Sequence, residues 1–120
     1  MQDLHVRLHD DLTAALRARD GRKVRVLRSV LAAIANAEAR TDVEQTPTSL
    51  RSAGGIAGAA AGIGAAEVDR RTLTTQDLVA IVAAERDERL TAADDLTGRG
   101  APAAAEDLRA EAALLAPYLP

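Results

Sequence analysis

Six cationic side chains fall within twelve residues: Arg17, Arg19, Arg22, Lys23, Arg25 and Arg28, with Asp20 as the one opposing charge. Guanidinium and ammonium groups at this density can bind phosphate or carboxylate, and on a nucleic acid they would neutralise backbone phosphates. Arg22, Lys23 and Arg25 are predicted in the first turn of a helix. Positive charge there opposes the macrodipole, at a cost of up to about 1 kcal/mol each when exposed. A local cost without local compensation points to an anionic partner and makes Arg17, Arg19, Arg22, Lys23 and Arg25 the candidate nucleic-acid contacts. The plainer alternative is solvation, or pairing with acidic residues late in the chain such as Glu85, Asp87, Glu88, Asp94 or Asp95. Arg28 lies beside Leu27 and Leu31 and is assigned, with Glu85 and Arg89, to structural ion pairing. Tyr118 is the only aromatic residue, so there is no platform for stacking single-stranded bases. Any nucleic-acid contact would be to backbone and shape.

Other chemistry finds less footing. His5 and His9 are four apart and share a helix face, a spacing at which two imidazoles can hold a metal. A third ligand would be needed, with Asp94 or Asp95 as remote choices, and residue 6 is Val where a His-Glu-x-x-His motif has Glu. The expectation is two solvated histidines, no metal and no cofactor. The run Gly54-Gly55-Ile56-Ala57-Gly58-Ala59-Ala60-Ala61-Gly62-Ile63-Gly64 suggests a phosphate loop. However, no Lys-Ser or Lys-Thr follows and no strand precedes it. Ser29 has no evident His partner, and no catalytic residue is assigned.

The elements that must position these residues are helical. Of 120 residues, 28 are Ala, 15 Leu, 8 Val and 4 Ile, with no Phe, Trp or Cys. A core of methyl groups favours closely packed helices over a β-sandwich. The lack of Cys excludes disulfides and thiolate chemistry. The longest uncharged run, residues 52–66, is too short and too rich in glycine to span a bilayer. No secretory leader is expected, and the predicted location is cytoplasmic. The stripe Leu4, Leu8, Leu12, Leu16 predicts a helix over about 3–19, stopped at Gly21. Two stripes, Val24/Leu27/Leu31/Ile34 and Val26/Val30/Ala33/Ala37, predict a central helix over about 22–40. Residues 41–73 break the periodicity and are predicted to be a flexible loop. Thr74 as N-cap with Asp77 opens a helix over about 75–97. Pro102 opens another over about 102–116. The predicted fold is all-α, a single four-helix bundle-like domain over 1–120. Residues 1–40 carry eight basic and five acidic side chains, while 69–120 carry six and ten.

Several segments in order resemble the YqeY-like (GatB/YqeY domain) family. They are Arg19-Asp20, Val26-Leu27-Arg28, the run Leu31 to Glu38, Leu73-Thr74-Thr75-Gln76-Asp77-Leu78, Glu85 with Arg89, Gly98-Arg99, Leu108 to Glu111, and Tyr118-Leu119-Pro120. The segment Gly64 to Arg71 is similar to an actinobacterial branch. The resemblance implies a four-helix unit, followed in longer members by a three-helix unit where this sequence stops, so the chain is expected to be the first unit alone. It also implies kinship with the tRNA-contacting part of glutamine-dependent tRNA amidotransferases, and a family label of carbon–nitrogen ligase with glutamine as amide donor. The resulting expectation is a non-catalytic module associated with tRNA or an amidotransferase subunit. The alternative is a protein–protein or self-association module.

Overall fold

The computed structural model describes residues 3–45 and 73–120, with side chains described for 3–39 and 73–120. Among these residues the fold is all-α and bundle-like, with four helices and no strand. The helices are α1 (Leu4–Ala18), α2 (Gly21–Gln45), α3 (Thr75–Gly98) and α4 (Pro102–Leu115), followed by a 3-10 turn, Ala116–Tyr118. None of them is long and apolar enough to cross a membrane. By contact the chain divides into two compact units, one of 1–33 with 74–120 and one of 34–73. The second contains the far half of α2, where Ile34 is buried. The glycine-rich run 54–64 and most of the predicted 41–73 loop lie outside the described residues.

The first unit is closed by its helix ends. Asp3 caps α1, its carboxylate accepting the His5 N–H at 3.0 Å. α1 ends with Arg19 in the left-handed region (φ 57°), Arg19 N–H donating to Leu16 O and Asp20 N–H to Ala15 O. This is the Schellman closure, here made without glycine. Asp20 then caps α2 through Oδ1, which accepts the Lys23 N–H at 3.1 Å. Gly21 therefore opens α2 and does not stop α1, since two residues are enough to reverse the chain once Arg19 turns left-handed. The far end of α2 also differs from expectation. It continues to Gln45, past the predicted end at 40, because residues 41–45 hold no breaker and Pro47 is the first obstacle. Thr74 and Asp77 form a reciprocal capping box at the start of α3.

α3 and α4 form an antiparallel hairpin across residues 99–101. Gly100 has φ 82°, and the bonds from Gly100 N–H to Thr97 O and from Ala101 N–H to Leu96 O close the helix end. Pro102 then starts α4. Ala93 and Ala105 are fully buried and Ala112 nearly so, so methyl groups make up much of the hairpin's inner surface. Small side chains let the two backbones approach. The larger core side chains come from Leu4 and Leu8 of α1, Val24, Val26, Leu27 and Val30 of α2, Leu78 and Val82 of α3, and Leu115.

The Leu4 stripe drifts. A helix turns by about 100° per residue, so each four-residue step moves a stripe by about 40°. By Leu16 the row has left the core, with that side chain 47% exposed and Ala15 taking its place at 3%.

The hairpin turn gives a paired prediction. Gly100→Ala should destabilise by about 1 kcal/mol, because a Cβ is strained at positive φ. Gly98→Ala should stabilise by about 0.5 kcal/mol, because that glycine is helical and an added Cβ meets open space. Urea unfolding of both variants checks the opposite signs.

Candidate functional site

The basic candidates assemble at the corner where α1 meets α2. Arg17 and Arg19 lie at the end of α1, and Arg22, Lys23 and Arg25 in the first turns of α2. All are exposed except half-buried Lys23. Arg17 suits its place, since a cation complements a helix C-terminus. The α2 residues receive two compensations that the sequence reading missed. The Asp20 carboxylate sits on the α2 N-terminus, and Arg22 reaches Asp107 of α4 at 3.2 Å. Both partners of that pair are well exposed, so it adds little. The signal for Asp20 is its position just before the first helical turn, where a short carboxylate side chain can cap.

Four of the five acidic side chains named as possible partners of this cluster are engaged elsewhere. Asp87 pairs with Arg86, Asp94 with Arg109, Asp95 with Arg99, and Glu85 with Arg89. Arg17, Arg19, Lys23 and Arg25 have no ion pair among the described residues. The same holds for Arg28, which is exposed and takes no part in the Glu85–Arg89 pair. Its sequence neighbour Leu27 is buried, but adjacent helical positions differ by about 100°, so neighbours face different ways. The corner thus presents a cluster of positive charge to solvent.

A second polar cluster ties α2, α3 and α4 together. Ser29 Oγ donates to Glu85 Oε1 at 2.7 Å, Arg89 Nη1 donates to the same oxygen at 3.1 Å and to Glu85 O at 3.0 Å, and Arg89 Nε donates to Glu111 Oε1 at 3.1 Å. The side chains of Arg89 and Glu85 are 13% exposed and that of Glu111 19%. They line a shallow cleft with Glu88, Ala92 and Leu108. The Glu85 carboxylate accepts from both the Ser29 hydroxyl and the Arg89 guanidinium, and the geometry is that of a structural tie. Glu111 was missed as a pairing candidate because it lies a helix away from Arg89.

A third cluster holds the C-terminal turn on α1. Tyr118 O–H donates to Asp11 Oδ2. Arg7 Nη2 donates to the Pro117 carbonyl at 3.0 Å, and its guanidinium lies 4.7 Å from the centre of the Tyr118 ring. Burial pushes the phenol's pKa up, the hydrogen bond and charge of Asp11 add to this, and Arg7 opposes it. Between His5 and His9 the Nε2 atoms are 3.2 Å apart. Neither Asp94 nor Asp95 joins them, and no group of three His, Cys, Asp or Glu is placed to hold a metal among the described residues.

No family model matches this chain, and no curated protein or solved structure does either.

Two outcomes follow from these clusters. Arg89→Met leaves two largely buried carboxylates without their cation and should cost about 2–4 kcal/mol. Arg86→Met, from an exposed pair, should cost under about 0.5 kcal/mol in the same urea experiment. Equal losses would remove the special role of Arg89. Tyr118 is the single tyrosine, so tyrosinate absorbance follows it alone. In the folded chain it should ionise at higher pH than in denaturant. Tyr118's contribution to stability is then constant below the ordinary phenol value of 10.0 and falls above it, as the unfolded chain releases its proton first. Tyr118→Phe should remove that alkaline fall.

Proposed function

We propose that this chain is a non-catalytic helical module associated with tRNA, through its phosphate backbone, or with a glutamine-dependent tRNA amidotransferase. Arg17, Arg19, Arg22, Lys23 and Arg25 make the contacts. The observation that carries this reading is the exposed basic corner, where four of these five have no ion pair among the described residues while Glu85, Asp87, Asp94 and Asp95 pair within α3 and α4. The choice of tRNA as the polyanion rests on the resemblance to YqeY-like proteins. With no aromatic side chain at the corner, recognition is of charge and shape, and affinity falls steeply with salt. Such a module would act in the cytoplasm.

A second reading, a protein–protein or self-association module, is favoured by Val6 and Leu16, each 47% exposed on α1. One experiment separates the two. Purified chain is titrated into labelled mixed tRNA across a salt series, beside the double variant Arg17→Glu, Arg25→Glu. The expected result is about tenfold weaker binding and a salt slope shallower by about two. Unchanged binding removes this corner from the proposal. No tRNA binding at low salt, together with a dimer by sedimentation, establishes the second reading in its place.

A further inference from the structure

His5 and His9 have no part in the basic corner or in the polar ties. They stand one turn apart on α1, His5 half-buried and His9 exposed. Their ring centres are 4.9 Å apart and their Nε2 atoms 3.2 Å apart. Both rings therefore bring the same nitrogen, Nε2, close together. The spacing matches the bite of a chelate. Two nitrogens at about 2.0–2.1 Å from a metal are roughly 3.3–3.4 Å apart at a tetrahedral angle and roughly 2.9 Å apart at a right angle. The observed separation lies between these limits. Arg7, the cation between the two histidines in sequence, is held elsewhere by the Pro117 carbonyl and the Tyr118 ring, so its charge is engaged there.

We propose that His5 and His9 form a bidentate site for a borderline divalent transition metal such as Zn2+, Ni2+ or Cu2+, bound through both Nε2 atoms. Water fills the remaining positions. Metal-free, one ring carries Nε2–H and the other a bare Nε2, which is what a short contact between them needs. On binding, the protonated ring moves that proton to Nδ1, so that both Nε2 lone pairs face the ion. With two protein ligands the site is open and of modest affinity. It selects for imidazole-loving ions in the order Cu2+ over Ni2+ over Co2+, and against Mg2+ and Ca2+, which prefer oxygen. The ion would join the first two turns of α1, the helix on which the C-terminal turn rests.

The test uses the intact chain with NiCl2, ZnCl2 or MgCl2, followed by calorimetric titration and by thermal unfolding. Ni2+ and Zn2+ should bind and raise the melting temperature with concentration, because an ion that binds only the folded state stabilises it. Mg2+ should do neither. His9→Ala removes an exposed ring, and its helical circular dichroism confirms the fold. That variant should bind Ni2+ and Zn2+ at least tenfold more weakly, as should His5→Gln. Unchanged affinity in His9→Ala, an equal response to Mg2+, or no binding at millimolar Ni2+ and Zn2+ would overturn the proposal.

Discussion

The Arg89 guanidinium joins three of the four helices. It lies on α3, binds Glu85 one turn back and Glu111 across the hairpin, and through Glu85 reaches Ser29 of α2. A core built from alanine methyls and a few leucines is slippery, since small side chains interlock weakly and many helix registers bury similar area. A directional set of charge-assisted hydrogen bonds fixes which turn faces which. With only one cation between two carboxylates, each largely out of water, the network is satisfied in one arrangement and costly in others. That node acts with the short turn at 99–101 to hold the hairpin register.

The same economy explains where charge is left over. α3 and α4 use their own arginines, Arg86, Arg89, Arg99 and Arg109, against their own carboxylates. Short-range pairing along one helix or across one hairpin needs little chain ordering. Pairing with a distant helix needs more, so the local partners are taken first. The basic corner of α1 and α2 is then presented to solvent. The C-terminal turn depends on α1 in a parallel way, through the Tyr118–Asp11 bond and the Arg7 contacts. α1 thus carries the basic corner at one end and the histidine pair and C-terminal clasp toward the other.

Much of the fold could be read from spacing. Thr74 with Asp77 marked the start of α3, Pro102 the start of α4, and paired stripes marked α2 as buried on a broad face. These signals are local: a cap bonds to residues three along, and a stripe is set by helical geometry. Leu16 shows the limit even of local reading, because a strict four-residue row drifts out of the core. The exposed corner was half legible. The cluster of cations was plain, but the Asp20 cap and the Arg22–Asp107 pair were not.

What the sequence determined by itself was composition and period. It specified helices, their capped starts, a methyl-rich interior and a concentration of positive charge between Arg17 and Arg28. Only the tertiary structure decided which charges meet. Arg28, beside buried Leu27 in sequence, stands exposed, while Glu111 meets Arg89 from another helix. The Tyr118 hydroxyl reached Asp11, over a hundred residues away in sequence. An ion pair depends on distances of a few ångströms, and those are set by helix rotation and packing, about which a linear spacing says nothing. The histidine pair lies on the boundary. Its shared face follows from a spacing of four, but the convergence of its two nitrogens required the side chains in place.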